Sequence, residues 1–136
     1  MTVTPNSIIT AQALKSANAV CTAAKTTYAD STNAVKLLTA GANGSVLYGL
    51  KAIPRATVTA TQLQLYRSPD NGTTMYLINS GVMGAYTLAQ TTAVPVTDMG
   101  YSETGPLRIA AGDTLWVGAG VALAGGISFD AQYEDL

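Results

Sequence analysis

From Gly126 to Tyr133 the chain alternates strictly: Ile127, Phe129, Ala131 and Tyr133 fall on one side, and Ser128, Asp130 and Gln132 on the other. A period of two is the spacing of a strand with one buried face, and a helix does not produce it. The pattern returns in Thr61–Arg67, where Gln62 and Gln64 alternate with Leu63 and Leu65. It returns again in Thr114–Ala122, which sets Leu115, Val117, Ala119 and Val121 against Trp116, Gly118, Gly120 and Ala122. The expected core is therefore Leu63, Leu65, Leu115, Val117, Val121, Ile127 and Phe129. Gln62, Gln64, Ser128 and Asp130 are expected to face solvent or a partner.

Turn residues divide the rest of the chain into short runs. Asn43-Gly44 separates Asn33–Ala40 from Ser45–Pro54, and Asn-Gly favours the positive φ of a tight turn. Ser68-Pro69-Asp70-Asn71-Gly72 predicts a hairpin joining Thr61–Ser68 to Thr73–Ser80, with Gly72 at positive φ. Ala110-Ala111-Gly112-Asp113 separates a short strand, Leu107–Ile109, from the next. Residues 80–106 are rich in glycine and proline and predict a long connection with one short strand near Val94–Met99. A Greek key uses such a connection to cross between sheets.

Composition does not decide between helix and strand. Ala and Thr supply 41 of 136 residues, and they favour opposite structures. Residues 11–25 accordingly admit two readings: a helix with Leu14, Ala17 and Cys21 on one side, or a strand around Ala17–Ala23. The whole predicts one all-β domain over residues 17–136. It is expected to be an antiparallel β-sandwich in a jelly-roll arrangement, preceded by an extended N-terminal arm over residues 1–16.

The side-chain inventory narrows the chemistry. Histidine is absent, which removes His-based triads and His-ligated metal sites. Cys21 is the sole cysteine, so neither an intrachain disulfide nor a Cys-Cys zinc pair forms. A buried thiol is the expectation for it. Asp70-Asn71-Gly72 resembles the start of a calcium loop, but Thr73, Thr74 and Met75 break the ligand alternation. Asp98 and Glu103 are a conceivable carboxylate pair with no supporting polar cluster. Asn43-Gly44-Ser45 and Asn71-Gly72-Thr73 match glycosylation acceptors but read better as turns. Glycines 118, 120, 125 and 126 open no helix, so a dinucleotide loop is not expected. The expectation is a protein that is not an enzyme and binds no cofactor or metal.

Net charge is -1, with no basic cluster to neutralise phosphates, so nucleic acid is not an expected partner. The stretch Leu115–Phe129 is too short and glycine-rich for a spanning helix, and no signal peptide is read at Met1-Thr2-Val3. A cytoplasmically made protein with no membrane partner is the expectation. Charged residues make up only 11% of the chain while 48% is hydrophobic, so much of the surface must lack charge. Such a surface predicts self-association or docking on a larger assembly. The candidate interaction surface comprises Tyr66, Tyr76, Tyr101 and Trp116, and these rings with Tyr48 and Tyr86 are the alternative candidates for a carbohydrate-binding face.

Leu37–Ser45, Ile53–Leu65, Asn71-Gly72-Thr73-Thr74 and Ala111-Gly112-Asp113-Thr114-Leu115-Trp116-Val117 together resemble small structural virion proteins of tailed bacteriophages. The resemblance covers most of residues 17–136. It implies a capsid decoration, or cement, protein located in the virion and contacting the major capsid protein or other virion proteins. It implies no catalytic residues. A trimer would suit jelly rolls at symmetric capsid positions. A tail or fibre component and a carbohydrate-binding module are the alternatives, since one sandwich serves all three.

Overall fold

A computed structural model describes residues 13–136. Nine strands follow one another: β1 (Ala13–Cys21), β2 (Val35–Thr39), β3 (Ser45–Pro54), β4 (Thr61–Ser68), β5 (Tyr76–Met83), β6 (Thr97–Asp98), β7 (Leu107–Ile109), β8 (Thr114–Ala119) and β9 (Ile127–Asp135). They form two sheets whose paired strands are all antiparallel. The first has the order β1-β9-β3-β6, with β7 also paired to β3, and the second the order β2-β8-β4-β5. The protein is an antiparallel β-sandwich, as the alternation predicts.

Only the β4–β5 and β6–β7 connections stay within one sheet; all the others cross between the two. The long segment after β5 crosses in this way, from the end of the second sheet to β6 in the first. On its route Tyr86 bridges to Val58 through reciprocal backbone bonds of 2.9 Å. The Asn43-Gly44 turn also changes sheets, with Gly44 at a φ of 87°.

Six of the seven expected core residues are completely buried: Leu63, Leu65, Leu115, Val117, Ile127 and Phe129. Each such side chain contributes roughly 1.5–3 kcal/mol by leaving water. The seventh, Val121, is 41% exposed. β8 ends at Ala119, and the chain leaves the sheet with the Val121 N–H on the Thr61 hydroxyl, so the alternation no longer has a sheet to follow. Ser128 and Asp130 are half-buried on the outer face. Gln64 is fully buried instead of facing solvent.

The helical reading of residues 11–25 is corrected. Residues 13–21 form β1, paired with β9 from Ala13–Asp135 to Cys21–Ile127. Ala17, Ala19 and Cys21 turn inward at period two, and Ser16 and Asn18 outward. A complete ladder satisfies every backbone group along one side, which outweighs the helix propensity of alanine. Residues 13–16, expected within the arm, are thus strand; residues 1–12 of that arm lie outside the described residues.

Candidate interaction surface

The outer face of the β2-β8-β4-β5 sheet is largely roofed by the chain's own loops. Gln62, Gln64 and Tyr66 of β4 point out from the core, opposite to Leu63 and Leu65. The connection from β1 to β2 lies over them. From it, Lys25 enters the sheet surface and is 1% exposed. Its ammonium donates to the carbonyls of Asp30 (2.7 Å) and Thr32 (3.1 Å) and to the Asp30 carboxylate (3.2 Å). It also lies over the Tyr66 ring. The Gln64 amide donates to the Lys25 carbonyl at 3.0 Å, and its oxygen accepts the Tyr66 hydroxyl at 2.6 Å. Tyr28 completes the roof by donating to Gln62 at 2.9 Å.

Gly118 makes this roof fit. A β-carbon there would lie 2.9 Å from Gln64 Oε1 and 3.0 Å from the Lys25 side chain, so any larger residue would push Lys25 away. Burial raises the pKa of the Tyr66 hydroxyl to about 12, and the nearby Tyr28 and Asp30 side chains add to the effect electrostatically. Asp30 is held below the ordinary carboxylate value, first by the Thr27 hydroxyl and then by Lys25.

The four residues expected to form the interaction surface are therefore not brought together. Tyr66 has no exposure and is withdrawn from any surface role. Trp116 is half-buried, paired beside Tyr66 and Lys36 in the sheet, with its ring against Gly72 of the β4–β5 turn. Its indole N–H donates to Thr114 at 2.9 Å. That turn is tied down by Lys36 donating to Asn71 at 2.9 Å. The Tyr101 hydroxyl accepts from Asn79 beneath β5. Of the four, only Tyr76 stands exposed, at the start of β5. Among the described residues, these four rings do not form one exposed platform.

The open surface is β5 itself. It is the end strand of its sheet, and its Tyr76, Leu77, Ile78 and Val82 are exposed. A bulge decides how they face. Tyr66 pairs with Leu77 but Leu65 pairs with Asn79, so Ile78 is the extra residue. Leu77 and Val82 consequently share the outer face, opposite Tyr66 and Gln62 respectively. Val82 also lines an open depression of about 430 Å³ with Tyr28, Gln62 and Val121.

The other edges are guarded differently. β1 carries Lys15 and β2 carries Lys36. β6 and β7 are two and three residues long and carry Asp98 and Arg108. β5 has eight residues without a charge or proline, the features that usually discourage edge pairing. The uncharged run from Asn71 to Thr97 is the sequence signal for this surface, which the tyrosine positions do not mark.

The polar candidates are occupied by their own turns. Asp70 accepts from Ser68 Oγ and from the N–H and hydroxyl of Thr74, closing the hairpin. Asp98 accepts the Gly100 N–H at 2.8 Å. Cys21 is buried, and burial pushes its thiol up to about 12. Among the described residues no three His, Cys, Asp or Glu side chains gather to hold a metal ion, and no helix is long and apolar enough to cross a membrane. Fold and surface together define an antiparallel β-sandwich with one unguarded, uncharged edge. Comparison of the chain with protein-family models, curated proteins and solved structures finds no match.

Proposed function

We propose that the protein is a non-enzymatic structural component of a bacteriophage virion, a decoration protein that reinforces the head through contacts with the major capsid protein. The observation that carries this reading is the uncharged surface of β5 and the segment after it, exposed on a rigid sandwich. Leu88, Val94 and Val96 continue the apolar exposure beyond the strand. A rigid scaffold with such a surface suits lateral packing, where each contact adds stability in proportion to the apolar area covered.

The strand order supports the jelly-roll form of the reading. Two four-membered paths, β1-β9-β3-β6 and β2-β8-β4-β5, with nearly every connection crossing between them, are the pattern of a chain folded as two Greek keys. The sequence resemblance to small phage virion proteins supports the location. The burial of Tyr66 takes one of the rings from the carbohydrate-binding reading.

Copy number in purified phage particles, by quantitative mass spectrometry, tests the proposal. A decoration protein is expected at hundreds of copies on the head, and heads lacking it should burst more readily under osmotic shock. A few copies confined to the tail would replace the proposal with a tail or fibre role.

A further inference from the structure

We propose that the free edge of β5 pairs antiparallel with β5 of a second copy of this chain, joining the two sheets across a two-fold axis. The proposal stands apart from the virion reading, because it concerns the purified protein alone.

An eight-residue edge presents a row of backbone N–H and C=O groups ready to accept another strand. Its occupant must bring no charge, because an ion placed against this apolar strip would lose its water without gaining a partner. The second copy meets this requirement, since its own β5 lies within the uncharged run Asn71–Thr97.

The side chains of β5 also complement themselves. In a two-fold pairing centred on Ser80, Asn79 of each copy stands opposite Gly81 of the other and, across the bulge, Leu77 stands opposite Val82. The bulge puts both on the outer face, so two aliphatic contacts form, one at each end of the strand. Val82 is 71% exposed in the single chain and becomes covered. Asn79 meets Gly81 near the axis, a side chain against none, and Ile78 remains the extra residue of the bulge. Such a closed, isologous contact yields a dimer and leaves no further β5 edge exposed, which limits growth into fibres.

The test is sedimentation velocity on the purified full chain over a concentration series. The expected species is a dimer of twice the 13.9 kDa chain mass. Val82→Lys should weaken association at least tenfold, whereas Leu14→Lys, exposed on β1 of the other sheet, should leave it unchanged. Far-UV circular dichroism matching the unaltered protein verifies folding of both variants. For the register, a Leu77→Cys, Val82→Cys double variant should form a covalent dimer under mild oxidation, and neither single variant should. Within one chain these two positions lie about 16 Å apart along the strand, too far to bridge. A monomer up to the solubility limit, or a dimer indifferent to Val82→Lys, would overturn the proposal. A dimer sensitive to Val82→Lys that fails to cross-link in the double variant would overturn the pairing register.

Discussion

The Lys25 ammonium lies 5.0 Å from the centre of the Tyr66 ring, and both side chains are closed off from solvent. A lysine this deep is held by two carbonyls, the Asp30 carboxylate and the ring face. The pair fastens the β1–β2 connection to the outer face of the sheet, and that roof converts an expected surface tyrosine into an interior one.

Lys25→Met should destabilise the protein by about 1–3 kcal/mol, because the carbonyls of Asp30 and Thr32 lose their donor. The roof should loosen first. Hydrogen exchange is expected to accelerate over residues 25–34 more than in β9. Uniform acceleration across both sheets would show that the roof and sandwich open together.

Gly72 sits at a φ of 102°, with the Trp116 ring 2.9 Å from where a β-carbon would be. Gly72→Val meets two obstacles at once, left-handed backbone and a ring. A loss of about 1 kcal/mol or more is expected in a denaturant melt, with blue- or red-shifted Trp116 fluorescence reporting the displaced ring. An unchanged midpoint would contradict the turn geometry.

Asp30, Asp70 and Asp135 all titrate below the ordinary aspartate value of 3.8, led respectively by hydrogen bonds from Thr27, Thr74 and Ser45. Their unfolded forms therefore take up protons first as pH falls. The stability they contribute is present above about 3.8 and is lost as pH drops through the lower folded values. Thermal melts should show a midpoint falling steeply below pH 4 and nearly flat from pH 5 to 7. For Asp135→Asn the acid-side slope should be shallower.

Cys21 is 1% exposed, with its thiol raised to about 12 by burial. At pH 8 the folded protein should not react with a thiol reagent on the timescale of minutes, and one thiol per chain should react immediately in denaturant. Rapid labelling of the folded protein would show that the β1 end of the core opens readily.

Much of the fold is legible along the chain. Where one face of a strand packs on the core and nothing roofs the other, alternation and burial coincide, as in Ile127–Tyr133. The Asp70–Gly72 turn is legible for a local reason: Asp70 caps it through Ser68 and Thr74, and Gly72 takes the φ that other residues avoid. The same closeness to local rules explains the second hairpin strand, which is expected from Thr73 and begins at Tyr76 because Thr73 and Thr74 are drawn into the turn.

The sandwich class, the inward residues of β4, β8 and β9 and the tight turns follow from the residue pattern alone, because these depend on neighbours two to five positions away. Which faces remain open depends on segments that meet only in the folded chain. Gln64 and Tyr66 carry the pattern of an exposed face, yet Lys25, some 40 residues earlier, comes to lie on them. Val121 carries the pattern of the core, yet the sheet has ended. Leu77 and Val82, five residues apart, should face opposite ways in a regular strand, and one bulge sets them side by side. Nearly every connection crosses between sheets, so the partners that settle burial and register are distant in the chain and leave no local trace.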